Sequence, residues 1–499
     1  MNRTMNALVP GLAVVLGLGA CTKQAPPPST TPPPPIAAPP SQENPLPDRS
    51  HLPAPAPTPE WTPPVPLVSQ LSNGVRVWFV EQEPTPLITV MAVFPNGGAT
   101  DPKGKAGLTE LMADMLDEGL PDKSALDISD ELKNLATDYG PQVDVDSTSF
   151  YINLIADTLD PSLALLARFL RESTLPAEEF TRRKEHRLSV ALAGESEPGT
   201  VRSIVLRRAL WGHGYNGSVT RGTRPTLTNI TLRDVKRHYA DLIAPEGMEI
   251  VVVGGTKAEI VLPVLEKYFG DWKGKPRAKT APLENVKPTH SVHLVDFPNA
   301  AQSAIAVAAL SPGMDDPDYF PAMVFSRSWG GAFTSRVNMN LREDKGYTYG
   351  SYSAFQRYKL SGMFVTATKV KTDTTRASLD EVLKEVRDVC ATRPLTAGER
   401  EEAVGGLLLG FPGRFQTINN VAWAFSTLPT FGRPADWYER WPERLRGVTL
   451  EAANEVAKKY CDPQAYEVIL VGDRAKVEPT LDGLGMPVVV YDAQGNRAK

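Results

Sequence analysis

Four carboxylates lie within nine residues of the 499-residue chain: Glu110, Asp114, Asp117 and Glu118. Spaced three, four or one residue apart, they share one side of a helix. Two helix carboxylates at i, i+4 offer hard oxygen donors, the kind that Ca²⁺ or Mg²⁺ accepts and that zinc seldom takes without imidazole or thiolate. The same residues also describe a solvated acidic face. No other grouping adds a metal ligand or a nucleophile. His290 and His293 would point to opposite faces of a strand, the other four histidines are scattered, and no nucleophile elbow, phosphate loop or Cys-x-x-Cys occurs.

The element that carries the carboxylates is predicted as one amphipathic helix from Gly104 to Gly119, with Leu108, Leu111, Met112, Met115 and Leu116 forming a core-facing stripe at i, i+3, i+4, i+7 and i+8. Around it the chain is long enough for several domains. A net charge of −5 and a pI near 5.8 argue against a nucleic-acid partner. Residues 1–20 read as an export signal, and Leu18-Gly19-Ala20-Cys21 resembles a bacterial lipobox, so Cys21 is the expected lipid attachment site. Thr22 after it points to an outer-membrane lipoprotein that faces the periplasm. Gln24 to Pro66 holds 18 of the 46 prolines, so residues 21–66 are expected to be an extended tether of up to about 130 Å at ~3.1 Å per residue. Cys390 and Cys461 read by default as two buried thiols, with a disulfide between them left open.

Beyond the tether, strand and helix signals recur. Asn73-Gly74 marks a hairpin, Met248 to Gly254 a buried strand, and Asp160-Pro161 the N-cap and first turn of a helix, with a second helix from about Pro176 to Leu192. Ser162-Leu163 is echoed by Ser378-Leu379, Leu175 to Glu179 by Leu395 to Glu399, and Val251 to Gly254 by Ile469 to Gly472, at offsets of 216, 220 and 218. The pattern implies a duplicated α+β unit, 67–272 and 289–499 joined by a linker at 273–288. Each half is expected to be a largely antiparallel sheet with helices on one face.

Gly107-Leu108-Thr109-Glu110-Leu111-Met112-Ala113-Asp114-Met115 resembles the Gly-Leu-x-His-x-x-Glu-His-Met run of the pitrilysin/insulinase-type zinc peptidases. Glu110 and Asp114 stand where that run has its zinc-binding histidines, and Ala113 where it has its general base. A third family ligand would fall near Val190, with Glu185 and Glu195 flanking it. Gly330 to Arg336 and Leu341 to Tyr349 resemble two further runs from the second half of family members. The resemblance gives Arg342 and Tyr349 the task of holding a peptide substrate, which suits a guanidinium and a phenol as hydrogen-bond donors.

The resemblance implies a chain that carries no zinc of its own and no catalytic residue. It would serve as the non-catalytic subunit of a two-chain peptidase, with zinc on a partner bearing the intact motif and a peptide bound in a shared cleft. A scaffold or peptide-binding lipoprotein, and an active enzyme with an unusual metal site at Glu110 and Asp114, are the alternatives.

Overall fold

The computed structural model describes residues 61–499 apart from 83–84, 218, 285, 461 and 499. The expected signal segment, Cys21, nearly all of the tether and Cys461 therefore lie outside the described residues. Trp61 to Lys499 forms one compact unit.

Among the described residues fourteen strands follow in chain order: β1 (Leu67–Gln70), β2 (Arg76–Glu81), β3 (Leu87–Phe94), the two-residue hairpin β4 (Gly119–Leu120) and β5 (Lys123–Ser124), β6 (Asp138–Val143), β7 (Thr148–Ile155) and β8 (Glu249–Gly254), then β9 (Val292–Asp296), β10 (Gln302–Ser311), β11 (Thr348–Arg357), β12 (Gly362–Lys371), β13 (Glu467–Gly472) and β14 (Val488–Tyr491). One sheet runs β1-β2-β8-β3-β7-β6 and the other β14-β9-β13-β10-β12-β11. From β2 and β9 inward the two orders are the same, and so are the senses: β2 lies parallel to β8 as β9 does to β13, and the remaining pairs are antiparallel. They part at one edge, where β1 returns antiparallel through the Leu71–Val75 turn while β14 adds parallel to β9. The fold is thus α+β in two similar halves, as the repeat predicts.

Both faces of each sheet are buried. In the first sheet Val77, Phe79, Val90, Ala92, Ile250 and Val252 face the helices of their own half, among them α1 (Leu108–Ala113), α2 (Ala125–Asn134) and α3 (Leu159–Glu172). Their alternates Trp78, Val80, Met91, Val93, Val251 and Val253 join a cluster with Val421, Ala422, Phe425 and Leu428 of the helix Ile418–Thr430, which belongs to the second half. The exchange is mutual. After α4 (Ala177–Glu195), helix α5 (Pro198–Trp211) leaves its own half and lays Val201, Val205, Leu206, Leu210 and Trp211 on Ala304, Ala306, Ala308, Val365 and Ile469 of the second sheet. Burying each such aliphatic or aromatic side chain contributes about 1.5–3 kcal/mol, so the swapped helices clamp the halves together.

Three local expectations are corrected. The opening helix is helical only over Leu108–Ala113. Gly107 caps it at φ 93°, in the left-handed region, where an added Cβ would stand 2.8 Å from Leu227. Past Ala113 the bonds tighten to i→i−3 turns through Met115, Leu116 and Glu118 before the chain enters β4. The apolar stripe survives this, with all five of its residues buried. Helix α3 starts at Leu159, so Asp160 lies in its first turn instead of capping it, and accepts from Lys267 and Tyr268 at 2.9 Å each. Cys390 is disulfide-bonded and is not a free thiol.

Candidate functional site

The acidic side of α1 is not a solvated face. Across it runs α4, whose Arg187 reaches Asp114 Oδ2 through Nε at 2.6 Å and Glu110 Oε2 through Nη1 at 2.8 Å. The contact with Asp114 is a hydrogen bond, while that with Glu110 is an ion pair whose Oε2 has no well-aligned donor. All three side chains are between 14% and 17% exposed. One turn on, Glu118 is 3% exposed and sits between Arg182 and Arg183. Carboxylates four residues apart on one chain segment thus face guanidiniums four or five apart on another, giving a closed ladder of opposite charge.

The electrostatics follow from that enclosure. Burial is the largest influence on Glu110 and raises its pKa, with Arg187 opposing. Burial works against the Arg187 charge too, but the hydrogen bond and charge of Asp114, with the charge of Glu110, hold its pKa above the ordinary guanidinium value. Asp117 is pushed up to about 6, by burial first and then by Glu118. At neutral pH the guanidinium between Glu110 and Asp114 is a permanent cation.

A second buried relay fixes the start of α1. Asp101 accepts from Gly107 N at 2.7 Å, Thr109 N at 2.8 Å and Thr109 Oγ1 at 2.6 Å. Thr109 Oγ1 also lies 2.8 Å from His238 Nε2. Burial lowers the His238 pKa to about 4, so the ring is neutral near pH 7, and raises that of Asp101 to about 7; Thr109 Oγ1 bridges the two groups. Thr109 is fully buried, so the chain Asp101–Thr109–His238 is a positioning device and not a reacting triad.

The residues at the motif positions do not fit zinc. Glu110 and Asp114 supply oxygen donors only, Ala113 supplies no base, and the space between the carboxylates is taken by Arg187, whose charge would repel a metal ion. The expected third-ligand region gives no further carboxylate: Val190 is exposed, Glu185 faces solvent, and Glu195 is held bidentate by Arg224 at 2.6 Å. Arg187 is the residue that sequence reasoning missed. Its signal is the run Arg182, Arg183 and Arg187 set against Glu110, Asp114 and Glu118, charges of opposite sign at matching helical spacing.

Arg342 and Tyr349 stand in the second half. Arg342 belongs to a π-helical turn, Met339–Asp344, and lies over the ring of Phe333 with its Cζ 4.7 Å from the centroid, while its Nε is 3.2 Å from Glu343. Tyr349 sits in the bulge of edge strand β11 between Thr348 and Ser351 and is 88% exposed. That bulge is opposite Lys369 of β12, flanked by the pairs Thr348 with Val370 and Ser351 with Thr368. Lys369 in turn approaches Gly199 of α5, where an added Cβ would lie 3.8 Å from its Nζ. Gly199 and Arg187 line the same cavity of about 430 Å³. The cavity is lined from the first half and by Ala493 and Gln494, and Lys369 of the second sheet approaches it at Gly199.

Two family profiles match the chain: residues 76–223 match the insulinase (peptidase family M16) profile, and residues 229–407 the peptidase M16 inactive domain. Among curated relatives, an uncharacterized zinc protease YmxG of Bacillus subtilis is 24% identical over 58% of this chain and 70% of its own length. A non-peptidase homolog YmxG of Helicobacter pylori is 20% identical over 81% of this chain and 93% of its own. The crystal structure of a peptidase M16 inactive domain from Pseudomonas fluorescens superposes with a TM-score of 0.75 at 22% identity, covering 82% of this chain and 97% of that one.

Proposed function

Because the chain belongs to the M16 peptidase family, we propose that it works as a non-catalytic member whose cleft serves a zinc-bearing partner subunit. The observation that carries the reading is the Arg187 guanidinium lodged between Glu110 and Asp114, at the positions where the family motif has its metal ligands. Two relatives point the same way by name, one called a non-peptidase homolog and the other an inactive domain. In this reading Arg342 and Tyr349 supply donors to a peptide held between the subunits, and the exposure of Tyr349 leaves its hydroxyl open to such a ligand. Cys21 anchors the chain by lipid to the outer membrane, and the tether lets it reach a partner in the periplasm.

The test is gentle extraction of the full chain from its own membranes, followed by identification of what copurifies. A stoichiometric relative carrying His-x-x-Glu-His, with peptide turnover by the pair and none by either chain alone, is the expected result. Stoichiometric zinc and peptide cleavage by the isolated chain would overturn the reading. If a pair forms and Arg342→Lys with Tyr349→Phe leaves its kinetics unchanged, the substrate-holding role fails and a scaffold remains.

A further inference from the structure

Three arginines, Arg187, Arg207 and Arg221, and one glutamate, Glu195, line the cavity beside the charged ladder. Its walls are the second half of α4, the first three turns of α5, the 219–223 loop and the chain near Gln494. The anions around it are already spent: Glu195 is clamped by Arg224, and Glu110 and Asp114 hold Arg187. Arg207 and Arg221 also line it, and among the described residues neither forms an ion pair with a carboxylate. Arg207 donates instead to Asn216 and, at 2.9 Å, to the hydroxyl of Tyr358, two neutral acceptors, with Asp144 as its charged neighbour. Arg221 is exposed, with Glu110 as its charged neighbour. Lys369 adds an ammonium at the Gly199 side.

Hydroxyls and apolar groups complete the lining. Thr200, Ser203 and Thr220 can donate to an anion, the N-terminal end of α5 favours negative charge, and Val190 with Ile204 offers apolar surface. At about 430 Å³ the space falls in the ordinary range for a small ligand, of order 300–1,000 Å³. Guanidiniums pair with carboxylates through two parallel N–H donors, which suits a planar terminal group.

We infer that this cavity binds the C-terminal carboxylate of a peptide, with Arg221 and Arg207 as its cationic ligands. The inference rests on the reading of the cleft as a peptide site, and it fixes the end of the peptide that the non-catalytic chain would hold. A carboxylate drawn in here gains two guanidiniums in a partly water-excluded space, where such pairs are worth more than on an open surface.

The test uses the full chain alone, so that its failure is separate from any failure to find a partner. A short N-terminally labelled alanine-rich peptide with a free C-terminus, and the same peptide amidated, are titrated by fluorescence anisotropy. The acid is expected to bind at least about tenfold more tightly than the amide. Arg221→Gln, at an exposed position, should abolish most of that difference, and Arg221→Lys should recover part of it. Equal affinity for acid and amide, no binding of either at millimolar peptide, or an Arg221→Gln variant that keeps the full preference would each overturn the assignment. Arg207→Lys, which retains a charge next to Tyr358, should cut the preference without loss of thermal stability, and an unaltered preference there removes Arg207 from the site.

Discussion

Replacing Arg187 by methionine tests the idea that a side chain, and not a metal, holds the motif positions together. Methionine keeps much of the volume and removes the charge, so Glu110 and Asp114 are left facing each other at 16% and 14% exposure. Two ion pairs of 2.6 and 2.8 Å have gross energies near 6 kcal/mol each at an effective dielectric of about 20. Desolvation cancels most of this, and breaking a buried pair by removing one partner costs about 3–5 kcal/mol. Residual solvent contact lowers the expectation to about 3 kcal/mol at pH 8. The loss should shrink in acid. Burial already raises the Glu110 pKa while the guanidinium opposes it, so removing Arg187 lets it rise further. A carboxyl whose folded pKa exceeds its unfolded value has its stabilising effect in full below the unfolded value and loses it as pH climbs through the folded one. Urea unfolding followed by circular dichroism should therefore show a larger gap between wild type and variant at pH 8 than at pH 5. A change under 0.5 kcal/mol, equal at both pH values, would refute the account of the ladder.

The remaining expectations use other parts of the molecule. His238 has a folded pKa of about 4 against 6.5 unfolded, so it contributes about 3 kcal/mol above pH 6.5 that disappears as pH falls through 4; His238→Gln should flatten that limb of a stability–pH curve. Phe425→Ala hollows the cluster beside Phe415 and Tyr438 in which the helix Ile418–Thr430 packs and should cost about 3–5 kcal/mol, with hydrogen exchange rising in that helix. Writing the family motif back as Glu110→His, Ala113→Glu and Asp114→His should give zinc uptake by metal analysis only when Arg187 is also replaced by an uncharged residue. Uptake by the triple variant with Arg187 intact would show that the guanidinium does not guard the position.

Much of this architecture was legible because it rests on short-range patterns. The stripe of Leu108, Leu111, Met112, Met115 and Leu116 announces a buried face whether or not the helix continues, and every one of those side chains is in the core. The echo of Val251 to Gly254 in Ile469 to Gly472 marks β8 and β13, which occupy equivalent places in the two sheets. The helix ends were not legible, since they depend on Gly107 packing against Leu227 and on the chain turning into β4, contacts between distant segments. The exchange of α5 and the helix Ile418–Thr430 was hidden for a similar reason. Periodicity says that a helix has an apolar face, but not which sheet will receive it.

Arg187 shows how far local reading extends into the site. Glu110 and Asp114, taken alone, read first as a solvated face, with a metal site as the alternative. What decides between them is a residue more than seventy positions away that no motif marks. A buried carboxylate pair must acquire a proton, a metal or a basic side chain, because isolated like charges in a protected place are costly. Here the facing helix α4 supplies the cations, Arg187 to Glu110 and Asp114, and Arg182 with Arg183 to Glu118. The apolar stripe on the other side packs on a sheet that both halves hold in place through the swapped helices. The fold therefore holds one side of this segment by apolar packing against the sheet and the other by ion pairs to α4.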